Sequence, residues 1–210
     1  MYWRSGWRIL PCHDRGVNAS RRVLAEEIYA AARAHDERQA DRLARFRNVE
    51  PETAELLALL VRSTRAQRIL ELGTSNGYST LWLADAAQAT GGSVTSVEID
   101  AARTALAQAH LQRAGLSAQL RTQDAAEALA QASDGGYDFV FLDAERPAYA
   151  AYWPDLLRVL RRDGGLLAID NVLSHPAEVT EISGLIEREP SVASVLLRIG
   201  AGVRLVVAGA

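Results

Sequence analysis

The chain has 210 residues, 49% hydrophobic and 23% charged, with a formal net charge of -3. That profile fits one soluble globular domain with little length to spare, and its acidic balance gives no general attraction to nucleic acid or to an anionic membrane. The single cysteine, Cys12, excludes an internal disulfide and any multi-cysteine zinc site.

Residues 1–17, MYWRSGWRILPCHDRGV, carry two Trp, two Gly and one Pro without any period, and read as a flexible arm or interface element. They hold no sustained apolar stretch for a signal peptide, and no run elsewhere approaches the ~20 apolar residues that cross a bilayer. The cytoplasm is then the default location. Asn18 or Ser20 suits a helix cap, and Arg21 to Phe46 reads as helical, rich in Ala, Glu, Arg and Leu. Arg21, Arg22, Arg33, Arg38, Arg42, Arg45 and Arg47 are interleaved with Glu and Asp, as on a solvated helical face. A second helix should begin near Pro51, a favoured first-turn residue, and carry Leu56, Leu57, Leu59, Leu60 and Val61.

Strands and helices alternate from there. RILELG at 68–73 is a short apolar run that stops at glycine, and 77–89 reads as a helix. SVTSVEID at 93–100 is a strand, 102–115 a helix ending at Gly115, and 118–125 a weaker strand. YDFVFLDA at 137–144 is a strong strand. The helix after it ends near Gly164–Gly165, with Pro154 able to interrupt its early part. GLLAIDN at 165–171 is a buried strand, 176–188 a helix, and two last apolar runs split by Gly200-Ala201-Gly202 suggest a closing hairpin. This alternation implies an α/β fold, a parallel sheet with helices on both faces. Ligands of such sheets bind beyond the carboxyl ends of the strands, where the strand order switches.

The first strand runs into Glu71-Leu72-Gly73-Thr74-Ser75-Asn76-Gly77-Tyr78-Ser79. Gly73 and Gly77 permit a sharp turn and a close approach to the backbone, and the next helix points its N-terminus at the ligand. Glu98 ends the second strand, where a carboxylate can accept both hydroxyls of a ribose. The dinucleotide fingerprint Gly-x-Gly-x-x-Gly fails twice, at Ser75 and at Tyr78. A nucleoside without a pyrophosphate, such as S-adenosylmethionine (SAM), does not need it, and Glu71 suits a ligand bearing an ammonium group. Asp143 ends the fourth strand and Asp170 and Asn171 the fifth. If those strands are neighbours, two carboxylates and an amide converge as ligands for a hard divalent ion such as Mg²⁺. Asp and Asn in these positions also cap helices or form turns without any ligand.

ILELGTSNGYSTLWLA, SVEID, YDFVFLDAERPAY and GGLLAIDNVL, in this order, resemble the small-molecule O-methyltransferases related to catechol and caffeoyl-CoA O-methyltransferases. The resemblance runs from about Pro51 to Leu173. It implies a Rossmann-like, seven-stranded, mostly parallel sheet with a C-terminal hairpin. Residues 67–210 would form the SAM-binding methyltransferase domain, and the N-terminal helices of 18–66 would cover the pocket or meet a dimer partner. It further implies that Glu71 and Gly73 line the methionine end of the cofactor, followed by Tyr78 and Ser79. Glu98 would hold the ribose, Gln123 and Asp124 would sit near the adenine, and Asp143, Asp170 and Asn171 would bind the metal. The expected substrate is a small hydroxylated molecule, and a homodimer is the assembly suggested by the family and by the aromatic arm.

One residue departs from the family pattern. The family commonly carries a lysine base three residues after the first metal aspartate, and this chain has Arg146. Arginine stays protonated in proteins, so it can stabilise an oxyanion or grip a carboxylate or phosphate but is a poor base. His175 is the nearest other proton acceptor by sequence, unless it is an exposed loop histidine. Tyr149, Tyr152 and Trp153 read as core or pocket wall. Besides a metal-assisted O-methyltransferase, the sequence leaves open a metal-free methyltransferase acting on another atom and a silent binding module. The failed glycine pattern disfavours an NAD-type oxidoreductase. Asp143-Ala144-Glu145-Arg146 lacks the Asn/Asp-Pro-Pro-aromatic run of nucleic-acid amino-methyltransferases.

Overall fold

The computed structural model describes residues 18–209, so the expected arm at 1–17 lies outside the described residues. Helix α1 (Ala19–Asp36) starts where Asn18 caps it, its side chain accepting from the Ser20 amide at 3.0 Å. The expected continuation to Phe46 does not form. The Asp36 carboxylate instead accepts from the amides of Phe46 and Arg47, at 2.7 and 2.9 Å, and folds the chain back on the helix end. A short 3-10 turn (Arg42–Ala44) and extended chain lead to helix α2 (Pro51–Thr64), which has proline at its first turn as expected.

The strands are β1 (Arg68–Leu72), β2 (Ser93–Glu98), β3 (Gln119–Thr122), β4 (Phe139–Leu142), β5 (Leu166–Ile169), β6 (Val192–Leu197) and β7 (Val203–Ala208). They form one seven-stranded sheet in the order β3-β2-β1-β4-β5-β7-β6, parallel except for β7. The connecting helices are α3 (Tyr78–Thr90), α4 (Ala101–Arg113), α5 (Ala125–Gln131), α6 (Tyr149–Val159) and α7 (Pro176–Arg188). Helix α5 was not anticipated; Asp124 caps it by accepting from the amides of Ala126 and Glu127. Helix α6 ends earlier than expected because Leu160 turns to an extended conformation and bridges Tyr137.

Period-two alternation builds a core on each face of the sheet. Ile69, Phe139, Phe141, Leu166 and Ala168 pack with α1, α2, α3 and α4. Leu70, Leu72, Val140, Leu142, Leu167 and Ile169 pack with α5, α6 and α7. The buried Asp85 of α3 accepts from Arg21 of α1 and Arg62 of α2, each at 2.6 Å, and ties both N-terminal helices to the first face. The solvated-face reading of the arginines therefore fails in part. Arg21 is an interior tie and Arg22 lies over Trp82. Among the described residues no helix is long and apolar enough to cross a membrane. The strand order reverses between β1 and β4, so the crevice lies above the ends of those strands and their neighbours.

Candidate functional site

A cleft of about 700 Å³ opens at that point, above the carboxyl ends of β1, β2, β4 and β5. Its floor is the turn after β1. Gly73 (φ +105°) passes so close to β4 that a Cβ there would stand 2.0 Å from the Asp143 carbonyl oxygen. The Gly73 amide donates to the Val97 carbonyl at 3.0 Å, which binds the turn to β2 as well. Ser75 (φ +49°) is held in the left-handed region by its amide, which donates to Glu98 at 2.8 Å, and by its hydroxyl, which donates to the Phe46 carbonyl at 2.8 Å.

Glu98 faces the cleft with its carboxylate fixed by the amides of Ser75 and Asp100. An ionised carboxylate has about four acceptor positions, so two remain for a diol. Gln123 and Asp124 line the same end, although Asp124 also serves as the α5 cap. Ile99 and Leu43 were missed by sequence reasoning. They are 71% and 60% exposed at the cleft, an unusual place for large apolar side chains and a fit for a flat ring. Tyr78 is not brought to the cleft. Its buried ring packs against Tyr29, with centroids 5.3 Å apart.

Glu71 lies one layer beneath the cleft, fully buried, where its carboxylate accepts from the hydroxyls of Ser79, Thr80 and Ser96 at 2.5 Å each. Of these partners only Ser79 also lines the cleft. Burial pushes the Glu71 carboxyl up to about 7 from its ordinary 4.5, against the pull of those hydroxyls and with help from the nearby Glu98. A raised acid stabilises the fold fully below pH ~4.5 and loses that contribution as pH rises through about 7. Glu71→Gln should therefore reduce the stability lost by the cofactor-free protein between pH 5 and 8. The Glu71 share is on the order of 3 kcal/mol, read by urea denaturation at both pH values. An unchanged difference between the two would show that Glu71 is ionised throughout.

Asp143, Asp170 and Asn171 do converge, because β4 and β5 are parallel neighbours. The Asn171 amide nitrogen donates to Asp143 Oδ1 at 2.8 Å and to Asp170 Oδ2 at 3.3 Å. Asn171 adopts φ +66°, which turns its side chain back over the pair. Burial pushes the Asp143 carboxyl up to about 7, partly offset by Arg47. Asp170 is raised well above its ordinary value, by burial first and then by Asp143. The other Asp170 oxygen, Oδ1, is buried without a partner among the described residues. Such an orphaned acceptor between two carboxylates fits a divalent cation, and rotating the Asn171 amide by half a turn would offer its oxygen as well. Among the described residues no group of three His, Cys, Asp or Glu side chains could hold a metal ion; the third ligand here would be the amide.

Arg146 opens a 3-10 turn (Arg146–Ala148) at the cleft wall, and its Nε donates to Glu178 of α7 at 2.8 Å. His175 lines the cleft just before α7, with Nδ1 2.9 Å from the Ser174 hydroxyl. Tyr152 is pocket wall, whereas Tyr149 and Trp153 belong to the core. The sequence suggests helix as far as Phe46 and a solvated face for Arg42, Arg45 and Arg47, yet the segment 42–50 forms one wall of the cleft. Within it, Arg47 Nε and Asn48 Nδ2 are buried without partners among the described residues.

A family model described as O-methyltransferase matches residues 35–207. A catechol O-methyltransferase of Niastella koreensis is 40% identical over 131 residues, and one of Mycobacterium tuberculosis is 34% identical over 148 residues. These matches take in 60% and 70% of this chain, which spans 58% and 64% of the two relatives' lengths. Among solved structures, the O-methyltransferase from Bacillus cereus in complex with SAH is 28% identical with a TM-score of 0.75, covering 89% of this chain and 90% of that one. TomG from Streptomyces achromogenes, an O-methyltransferase involved in tomaymycin synthesis and solved with SAM, is 27% identical with a TM-score of 0.70, covering 88% and 90%.

Proposed function

The chain belongs to the O-methyltransferase family, and from that premise we propose that it transfers the methyl group of SAM to a hydroxyl of a small, catechol-like molecule with the assistance of a divalent cation. The observation that carries this reading is the convergence of Asp143, Asp170 and Asn171 at one end of the cleft whose other end holds Glu98.

Each residue then has a task set by its place. Glu98 would accept the ribose hydroxyls with the acceptor positions that Ser75 and Asp100 leave free. Ile99, Leu43, Gln123 and Asp124 would hold the adenine. Gly73, Ser79 and Asn48 would hold the methionine end, with Glu71 acting through Ser79. Asp143, Asp170 and Asn171 would hold the cation, which supplies positive charge that favours the deprotonated form of an acceptor hydroxyl. A vicinal diol suits two-oxygen chelation there. Residues 42–50 form one wall of the cleft, and alignment of acceptor and methyl donor can contribute on the order of 7–11 kcal/mol.

Isothermal titration with SAM, then with Mg²⁺ plus catechol, tests the reading. Wild type should bind SAM, and the ternary binding should need Mg²⁺. Glu98→Ala should weaken SAM by about 100-fold or more, the worth of two hydrogen bonds to a charged group, and should cost the cofactor-free fold on the order of 1–3 kcal/mol, because the Ser75 and Asp100 amides lose their acceptor. Wild type that binds no SAM would end the reading. Transfer that survives chelation would instead favour a metal-independent methyltransferase.

A further inference from the structure

Arg146 is a buried cation to which the proposed reaction gives no task. Its side chain is only 4% exposed, yet it lines the cleft three residues beyond Asp143. Its Nε is taken by Glu178, while neither Nη has a hydrogen-bond partner among the described residues. A guanidinium carries five N–H donors, so the four on the Nη groups are left without a protein acceptor among the described residues. Resting on the methyltransferase reading, we infer that Arg146 selects hydroxylated acceptors that carry a carboxylate, and that Glu178 sets the plane of its guanidinium for that purpose.

Three observations support the chemistry. The free edge of Arg146 is the pair of Nη groups, which together with one carboxylate makes the parallel, two-bond arrangement that lysine cannot supply. Arg47 lines the same cleft, so a second positive charge stands beside the space that an anion would enter. Glu178 is anchored at the first turn of α7, and its Oε2 accepts from Arg146 at 2.8 Å, which leaves the guanidinium little freedom to turn away. The acceptor would then be held at two points, its hydroxyls against Asp143, Asp170 and Asn171 and its carboxylate against Arg146. An arginine guanidinium is a poor base in any protein, so the effect of this side chain falls on acceptor affinity.

The test uses the full chain, SAM, Mg²⁺ and two matched acceptors, catechol and 3,4-dihydroxybenzoate. Wild type should favour the acid in kcat/KM on the order of 30-fold, chiefly through KM. Arg146→Gln should lower kcat/KM for the acid far more than for catechol and erase the preference, and Arg146→Lys should restore part of it. Glu178→Gln should raise KM for the acid more than it lowers kcat, as a positioning residue would. Titration of both acceptors into SAH-loaded protein reads the same preference without turnover. Equal affinity for the two acceptors overturns the inference, as does an equal loss for both in Arg146→Gln. A fall in SAH affinity in that variant also overturns it, because Arg146 would then serve the cofactor's own carboxylate. A catechol phosphate bound more tightly than the acid does the same. In each of these results SAM still binds, so the methyltransferase reading stands apart from the inference; only wild type that fails to bind SAM removes both.

Discussion

Gly73→Val should destroy cofactor binding and cost the fold on the order of 4 kcal/mol or more, the range reserved for severe mechanisms. Two effects combine at this position. The backbone has φ +105°, a region that a β-branched residue enters only with strain. A Cβ would also stand 2.0 Å from the carbonyl oxygen of Asp143, so β1 and β4 would have to part where the cleft begins. The two effects can be separated. Gly91 has φ +71° with nothing within 4 Å of a built Cβ, so Gly91→Ala measures left-handed strain alone, about 1 kcal/mol. Gly73→Ala should cost several times more and should weaken SAM, because Asp143 and the Ser75 amide that orients Glu98 move with the turn. Urea midpoints and SAM titration of both variants decide it. Equal losses would mean that the contact with Asp143 relaxes freely.

The sequence carried most of the architecture because the information was local. Short apolar runs ending in glycine marked β1 and the strand-to-helix turn, and Pro51 marked the start of α2. What it concealed was long-range. Nothing between Arg21 and Phe46 breaks a helix by composition; the break comes from Asp36, which finds better partners in the amides of Phe46 and Arg47 ten and eleven residues on. That one turn converts expected solvated arginines into a cleft wall containing Arg47 and Asn48. Helix α5 was legible after all. Asp124 and Glu127 stand at cap and third position, a pattern that favours a start, but the segment is short and alanine-rich and shows little apolar period.

The candidate site divides in the same way. Glu98, Asp143, Asp170 and Asn171 were readable because they end strands, and parallel strands in this order bring their ends together. Tyr78 was placed by motif adjacency, yet a helix turns successive side chains by about 100°, so Tyr78 enters the core while Ser79 meets the cleft. Ile99 gave no signal, since an apolar residue after a strand is common and only its exposure makes it notable.

Asp170→Asn should lower methyl transfer by at least about 1000-fold, some 4 kcal/mol of barrier, while raising the stability of the cofactor-free protein. The second half follows from the environment of the carboxylate. Asp170 is buried, faces Asp143 through a shared amide, and keeps one oxygen unpartnered among the described residues; burial and its neighbour both push its carboxyl well above the usual range. An isosteric amide removes the repulsion and keeps the volume, so the fold gains. A residue retained for packing would show the opposite pattern, losing stability with transfer falling only in proportion. A carboxylate that destabilises its own fold marks a site kept for binding charge. SAM affinity should stay within about threefold, because the cofactor's contacts lie with Glu98 and the turn after β1. Transfer to catechol with and without Mg²⁺, urea denaturation and SAM titration together read the three quantities. If Asp170→Asn kept transfer within a few fold of wild type, the carboxylate pair would have no part in the chemistry, and activation of the hydroxyl would fall to another group of the cleft, with His175 the first to test.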